Sequence, residues 1–202
     1  MATNDYHQVV TQTSRASEKA HRRASYLREA ARLFAVRGFH AVSIDELGAA
    51  VGVSGPALYR HFASKEGMLS ELLLGASERL LEGLHTIAAV GTPDGQTIEN
   101  LVDFHLDFAL TDRDVIRIQD RELANLPDDI NRRVRRLQRQ YISGWSTIVA
   151  RLRPELSAAD LEVTMQAVFG ILNSTPYTAK LDGLSDVRVL LRSAALAVLL
   201  GR

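Results

Sequence analysis

The chain has 202 residues, a formal net charge of zero from 24 Lys/Arg against 24 Asp/Glu, and no cysteine. That length suits one large or two small domains with a real core. The missing cysteine excludes a disulfide framework and thiolate chemistry and is compatible with a reducing cytoplasm. The opening MATNDYHQVVTQTS has neither a basic start nor an apolar run, so no signal peptide is expected. No apolar stretch approaches the ~20 residues that span a bilayer, so no membrane partner is expected.

Residues 1–17 are polar and without pattern and read as a flexible tail. Residues 18–37 read as a helix whose buried stripe is Leu27, Ala30, Ala31, Phe34 and Ala35, ended by Gly38. Ser43 follows as an N-cap, and Glu46 three residues on completes a capping box. Ile44, Leu47 and Val51 give that helix an apolar face at i, i+3, i+7 spacing. Gly52 sits where a left-handed C′ residue belongs. Ser54 is placed to cap a second short helix, with Pro56 tolerated in its first turn and Leu58 and Phe62 facing inward. Ser64 caps again, and Lys65 and Glu66 open the next helix. A short helix, a glycine turn and a second short helix are helix-turn-helix grammar.

From Lys65 to about Ala89 a long helix carries Leu69, Leu72, Leu73, Ala76, Leu80 and Leu84 on one face. VGTPDGQT (90–97) breaks the chain, and Thr97 with Asn100 opens a helix bearing Leu101, Phe104, His105 and Phe108. A further segment covers 113–125. Asp128 or Asp129 caps a strongly periodic helix to about Leu152, Ser157 caps the next (158–175), and Pro176 kinks or ends it. Gly183 and Ser185 precede a last apolar helix, Val187–Leu200. The fold class is all-α, with about nine helices and no strand pattern. The expected organisation is a flexible tail (1–17), a helix-turn-helix DNA-binding domain (18–68) and a larger helical domain (69–202).

Residues 22–70 resemble the tetracycline-repressor (TetR) family of bacterial regulators. The run GxxxxSIxELxxxxGVSxxALYxHFxxKExLL is matched by Gly38, Ser43, Ile44, Leu47, Gly52, Val53, Ser54, Ala57, Leu58, Tyr59, His61, Phe62, Lys65, Glu66 and Leu69. The resemblance implies a cytoplasmic, dimeric, effector-responsive repressor on a palindromic double-stranded DNA operator, with half-sites about one helical turn apart. It places Tyr59 and His61 on phosphates, and Gly55, Pro56, Ala57 and Arg60 where base edges are read. Arginine is suited to bidentate contact with guanine, and small residues admit close groove approach. Ser43, Ser54 and Lys65 join this set; Ser43 and Lys65 stand at helix N-termini that favour phosphate. Arg15, Lys19, Arg22 and Arg23 read either as a DNA-reaching arm or as a solvated charge run. Residues 1–67 hold nine Lys/Arg against six Asp/Glu, a surplus of three that the rest of the chain reverses. So weak a footprint is compatible with DNA contact at one end and asks for two copies.

The same resemblance assigns the remaining helices to a ligand cavity and a dimer interface. Aromatic and polar-edged residues on the cavity-enclosing helices are Phe104, His105, Phe108, Tyr141, Trp145, Asn173 and Tyr177. Asn173, an amide among apolar neighbours, needs a hydrogen-bond partner if buried. Leu161, Met165, Val168, Leu191, Ala194 and Val198 are candidates for a four-helix dimer interface; each also fits ordinary core. The cluster Arg132, Arg133, Arg135, Arg136 and Arg139 reads as a solvated face paired with the acidic run Asp112–Glu122, or as a rim for an anionic effector. Relatives that answer to acyl-CoA or fatty acids suit the second reading. In the implied mechanism, effector binding mis-spaces two recognition helices, with the helix from Lys65 to Ala89 as lever.

Other function classes leave less trace. No HExxH, GxSxG, glycine-rich phosphate loop or paired Glu-x-x-His is present, and His7, His21, His40, His61, His85 and His105 lack metal spacing with carboxylates. Neither enzyme nor cofactor is expected. The remaining rival is an architectural DNA-binding protein that answers to no effector.

Overall fold

The computed structural model describes residues 3–178 and 187–201, with side chains from residue 17 onward. Nine α-helices make up the described chain: α1 (Thr3–Arg37), α2 (Ile44–Ala50), α3 (Gly55–Leu58), α4 (Lys65–Ala89), α5 (Asp94–Thr111), α6 (Arg113–Glu122), α7 (Asp128–Leu152), α8 (Ala158–Leu172) and α9 (Val187–Leu200). Short 3-10 turns follow α6 (Leu123–Asn125) and α8 (Thr175–Tyr177), and no strand occurs among the described residues. The chain divides into two compact units, Met1–Leu72 and Leu73–Arg202.

In the first unit, Ala30, Ala31, Phe34 and Ala35 of α1 pack with Phe39, Val42, Leu47, Leu58, Phe62, Met68 and Leu69 as the core. Gly38 ends α1 at φ 85° and Gly52 ends α2 at φ 73°, backbone conformations that cost glycine little. Ser43 and Glu46 form the expected capping box, the Ser43 N–H donating to Glu46 Oε2 at 2.8 Å and the Glu46 N–H to Ser43 Oγ at 3.2 Å. Two expectations need correction. α1 begins at Thr3, well before residue 18, because residues 3–17 hold no Gly or Pro to interrupt it. Ser54 stands at the N-cap of α3 without a side-chain capping bond; α3 ends at Leu58, and bonds from Arg60 N–H to Ala57 O and His61 N–H to Leu58 O carry a tighter turn onward.

The second unit is built on Trp145, Ile98, Leu101, Val102, Leu106, Met165, Val168, Leu172, Ala195 and Leu199, all buried. α5 starts at Asp94 with Pro93 as its N-cap, not at Thr97, whose N–H already donates to Pro93 O at 2.9 Å as the first helical bond. Thr97 is instead buried, its hydroxyl donating to Thr92 O at 3.0 Å. α7 likewise follows Pro127, and neither Asp128 nor Asp129 caps it; Ser157 does cap α8, in a box with Asp160. α8 ends at Leu172, ahead of Pro176, and Gly183 and Ser185 lie outside the described residues. An ion-pair ladder fixes α9 on α5: Arg192 to Asp103 (3.0 Å) and Glu99 (3.1 Å), and Arg188 to Asp103 and Asp107.

Glycines set the closest helix crossings. A Cβ at Gly48 of α2 would lie 2.7 Å from both Gly55 N and Val53 O, and one at Gly55 would lie 2.1 Å from Asp45 Oδ1. Backbone cannot yield as a side-chain tip does. Gly48→Ala is therefore expected to destabilise the protein by about 1–3 kcal/mol through overpacking. Gly75→Ala, whose new methyl meets little beyond Arg79 Nη1 at 3.7 Å, should instead stabilise by about 0.5–1 kcal/mol through helix propensity. Urea titration of both variants checks the contrast.

Candidate nucleic-acid interface and effector cavity

The exposed side of the α2–α3 pair carries Ser43, Ser54, Pro56, Tyr59 and Arg60, with Ala57 and His61 half-buried. Tyr59 is 54% exposed although large and aromatic, which its neighbour Leu58, fully buried, makes clear is a matter of face and not of position in the chain. Two residues of the expected set do other work. Gly55 is buried against Asp45, so it permits the helix crossing and does not face a groove. Lys65 donates to Phe39 O and Val42 O, both at 2.9 Å, and its ammonium lies 4.4 Å from the Phe39 ring centroid. It anchors the turn ahead of α2 by donating to two of its carbonyls.

Ser43 is also committed. Its hydroxyl accepts the Glu46 N–H and donates to Glu46 Oε2 at 2.9 Å. The Ser43 N–H, then the Arg37 guanidinium at 2.6 Å, hold the Glu46 carboxyl down to about 2. A carboxylate thus already occupies the start of α2. His61 stacks edge-on against Tyr26 at 5.1 Å, and its Nδ1 is buried without a hydrogen-bond partner, so a hydrogen bond outward has to come from Nε2. Of the basic run on α1, Lys19 and Arg22 are exposed. Arg23 pairs with Glu71 and stacks on Phe62 at 4.4 Å, which takes it out of any arm. The Arg15 side chain lies outside the described residues.

In the second unit a cavity of about 120 Å³ opens between five helices. Ser77 and Leu80 come from α4, His105 and Phe108 from α5, Ile116 and Gln119 from α6, Gln138, Tyr141 and Ile142 from α7, and Phe169 and the capping Asn173 from α8. His105 is its centre. Its Nε2–H donates to Asn173 Oδ1 at 3.0 Å, which leaves Nδ1 to accept the Tyr141 hydroxyl at 3.1 Å. The ring stacks on Tyr141 and meets Trp145 and Phe169 edge-on. Burial holds the imidazole down to about 4, opposed by the Asn173 bond, and also pushes the Tyr141 hydroxyl up.

The structure brings together His105, Phe108, Tyr141 and Asn173 of the expected ligand set and leaves three out. Phe104 packs on α4, where a Cβ at Gly83 would lie 2.1 Å from its ring. Trp145 is fully buried behind the cavity wall. Tyr177 is 61% exposed, its hydroxyl donating to Asp120 at 3.2 Å. Sequence reasoning missed Gln138 and Gln119, whose signal was an amide on an otherwise inward-facing row. Met165 and Val168, expected at a dimer interface, are core residues of this subunit, whereas Leu161, Leu191, Ala194 and Val198 are half-buried. The large exposed apolar residues of α8 and α9 are Val163 (64%), Val189 (57%) and Leu190 (65%). Arg133 pairs with Glu78 of α4 at 2.6 Å and Arg135 with Asn131, not with the run Asp112–Glu122; Arg132, Arg136 and Arg139 are exposed.

Comparison with known proteins converges on one family. Residues 27–72 match the family model described as bacterial regulatory proteins, tetR family, and residues 91–192 match the tetracyclin repressor-like C-terminal domain. The chain is 40% identical over 86 residues to the HTH-type transcriptional repressor KstR2 of Rhodococcus jostii (strain RHA1), covering 43% of this chain and 42% of that relative. It thus spans well under half of that relative's length. A TetR-family transcriptional regulator from Bordetella parapertussis 12822 superposes with a TM-score of 0.79 at 26% identity, over 88% of this chain and 93% of that one. AibR in complex with isovaleryl coenzyme A and operator DNA superposes at 0.72 and 18% identity, over 87% and 96%, a likeness of fold.

The buried His105 makes a pH prediction. Its folded value of about 4 lies below the ordinary 6.5, so between these values the unfolded chain takes up a proton that the folded protein refuses. Stability is unaffected above pH 6.5, falls as the pH drops, and has lost its full share below pH 4. At pH 5 the loss should be about 2 kcal/mol, from ~1.4 kcal/mol per unit over ~1.5 units. Urea titrations at pH 7 and pH 5 measure it. His105→Phe should flatten the difference while lowering stability at pH 7, because Tyr141 and Asn173 lose their partner.

Proposed function

This chain belongs to the tetR family of bacterial regulatory proteins, and from that premise we propose that it is a cytoplasmic transcriptional regulator. It binds a palindromic operator as a homodimer and gives it up when a small molecule fills the cavity of its second unit. The observation that carries the reading is the α2–Gly52–α3 pair. Its crossing is locked by glycine, and it presents Tyr59 and Arg60 to solvent on the family's DNA-contacting stretch. Arg60 supplies the fork suited to a guanine edge, and Tyr59, Pro56 and Ala57 form the surface around it.

The cavity supports the responsive half of the reading. A ligand that binds more tightly to the state of lower operator affinity shifts the population toward it, and the coupling is reciprocal. AibR, of like fold, is bound to an acyl-CoA and to operator DNA in its complex, which makes an acyl-CoA or fatty-acid effector a natural first class to screen. Val163 on α8 and Leu190 on α9 are apolar surface for a second copy.

Footprinting on the DNA upstream of the protein's own gene should reveal a discrete palindrome. Sequence-independent coverage would point to the architectural alternative. Arg60→Ala is expected to weaken specific binding by about 1–3 kcal/mol with dimerisation intact, and unchanged operator affinity would remove Arg60 from the interface. Leu190→Arg with Val163→Glu should yield monomers by light scattering on a sizing column. A dimer that survives both changes lies elsewhere on the surface.

A further inference from the structure

The cavity around His105 carries no formal charge on its walls. Its lining contains no Asp, Glu, Lys or Arg, and its polar groups largely satisfy one another. Tyr141 donates to His105, His105 to Asn173, and the Ser77 hydroxyl to Leu73 O at 2.8 Å. Two buried donors are left over, Trp145 Nε1 behind the wall and one on the lining itself. Gln138 Nε2 is buried and has no hydrogen-bond partner among the described residues. A buried amide donor without an acceptor costs stability, so a site that keeps one is complemented by an oxygen brought from outside.

The walls and the volume narrow what brings it. Leu80, Phe108, Ile116 and Phe169 offer apolar surface, which rewards hydrocarbon. About 120 Å³ is of the order of the ~150 Å³ apolar cavity that takes up benzene, so the space suits a six-membered ring. An ionised carboxylate would enter with no cation to meet it, a heavy penalty in a buried site.

We propose that this cavity receives a compact, uncharged apolar group bearing a carbonyl oxygen, which accepts from Gln138 Nε2, and that it rejects free carboxylates. The proposal rests on the reading of this cavity as the effector site. It separates the two effector forms, since a thioester presents a neutral carbonyl and a free fatty acid an anion.

The test uses the full chain at pH 7.5 with three ring-sized probes: cyclohexanone, cyclohexanecarboxylate and methylcyclohexane. Trp145 is the one tryptophan of the chain, and its ring touches His105, Tyr141 and Phe169. Its indole N–H signal in a ¹H–¹⁵N spectrum therefore reports on the cavity. Cyclohexanone should shift that signal saturably and bind at least about tenfold more tightly than either other probe, ~1.4 kcal/mol. Gln138→Leu, with an unchanged melting profile, should bind cyclohexanone and methylcyclohexane alike. Equal or tighter binding of the carboxylate, no saturable shift with the ketone, or a preference that survives Gln138→Leu would each overturn the proposal. The ranking of probes on the unaltered protein decides the matter even if the variant does not fold. DNA binding is scored separately. A protein that takes the ketone but protects no palindrome loses the regulatory reading and keeps this one; a protein that protects a palindrome and takes the carboxylate does the reverse.

Discussion

A neutral imidazole with both ring nitrogens satisfied is the interaction on which the second unit depends, because His105 joins α5 to α7 through Tyr141 and to the end of α8 through Asn173. A buried polar chain of this kind tolerates little displacement, since a slip in any one helix strands a donor or an acceptor in apolar surroundings. The aromatic rings around it add shape. Trp145, Tyr141 and Phe169 meet one another and His105 at centroid distances between 5.2 and 6.2 Å. The cavity is the space that remains once this arrangement is set, so its lack of charge and the arrangement have the same origin.

The first unit solves a different problem by steric means. Two short helices bury little surface, and α3 is too brief to hold its own direction. Its orientation comes from backbone touching backbone at Gly48, from the Asp45–Gly55 contact, and from Lys65 closing the Phe39 and Val42 carbonyls. Residues that would be tempting to assign to DNA are thereby spent on rigidity. What they hold in place is the exposed run around Tyr59 and Arg60. Positioning of this kind matters for groove reading, where a bidentate contact has a narrow geometry.

Legibility followed the range of the interactions. The Ser43–Glu46 box, the left-handed Gly52 and the inward Leu58 and Phe62 are codes spoken within a few residues, and all were readable. Gly48 was visible as a glycine inside a helix, a choice that costs about 1 kcal/mol against alanine and so signals a neighbour; which neighbour was not visible. The family resemblance put Phe104 and Trp145 on cavity-enclosing helices but does not say what each side chain meets there. Phe104 turned to Gly83 and Trp145 to the core behind the cavity. Met165 and Val168 misled for the same reason, since an apolar stripe reads alike whether a subunit's own helices or a partner's cover it. The Arg192–Asp103 and Arg133–Glu78 pairs join residues 89 and 55 positions apart, and no local pattern announces them.

Charge supplies the last step. Residues 1–67 carry a surplus of three, and the structure spends several of those cations internally. Arg23 meets Glu71, Arg32 meets Glu29, Arg37 meets Glu46, and Lys65 meets two carbonyls. Lys19, Arg22, Arg28 and Arg60 are exposed. Each neutralised phosphate contributes a slope of about 0.9 to the salt dependence of binding, so one copy of this surface gains little from counterion release. Joining two copies on one DNA turns the second contact into an effectively intramolecular one and doubles the phosphates met. On the proposed reading, a unit this nearly neutral makes specific contacts only in pairs, which ties the apolar surface of α8 and α9 to the binding of DNA.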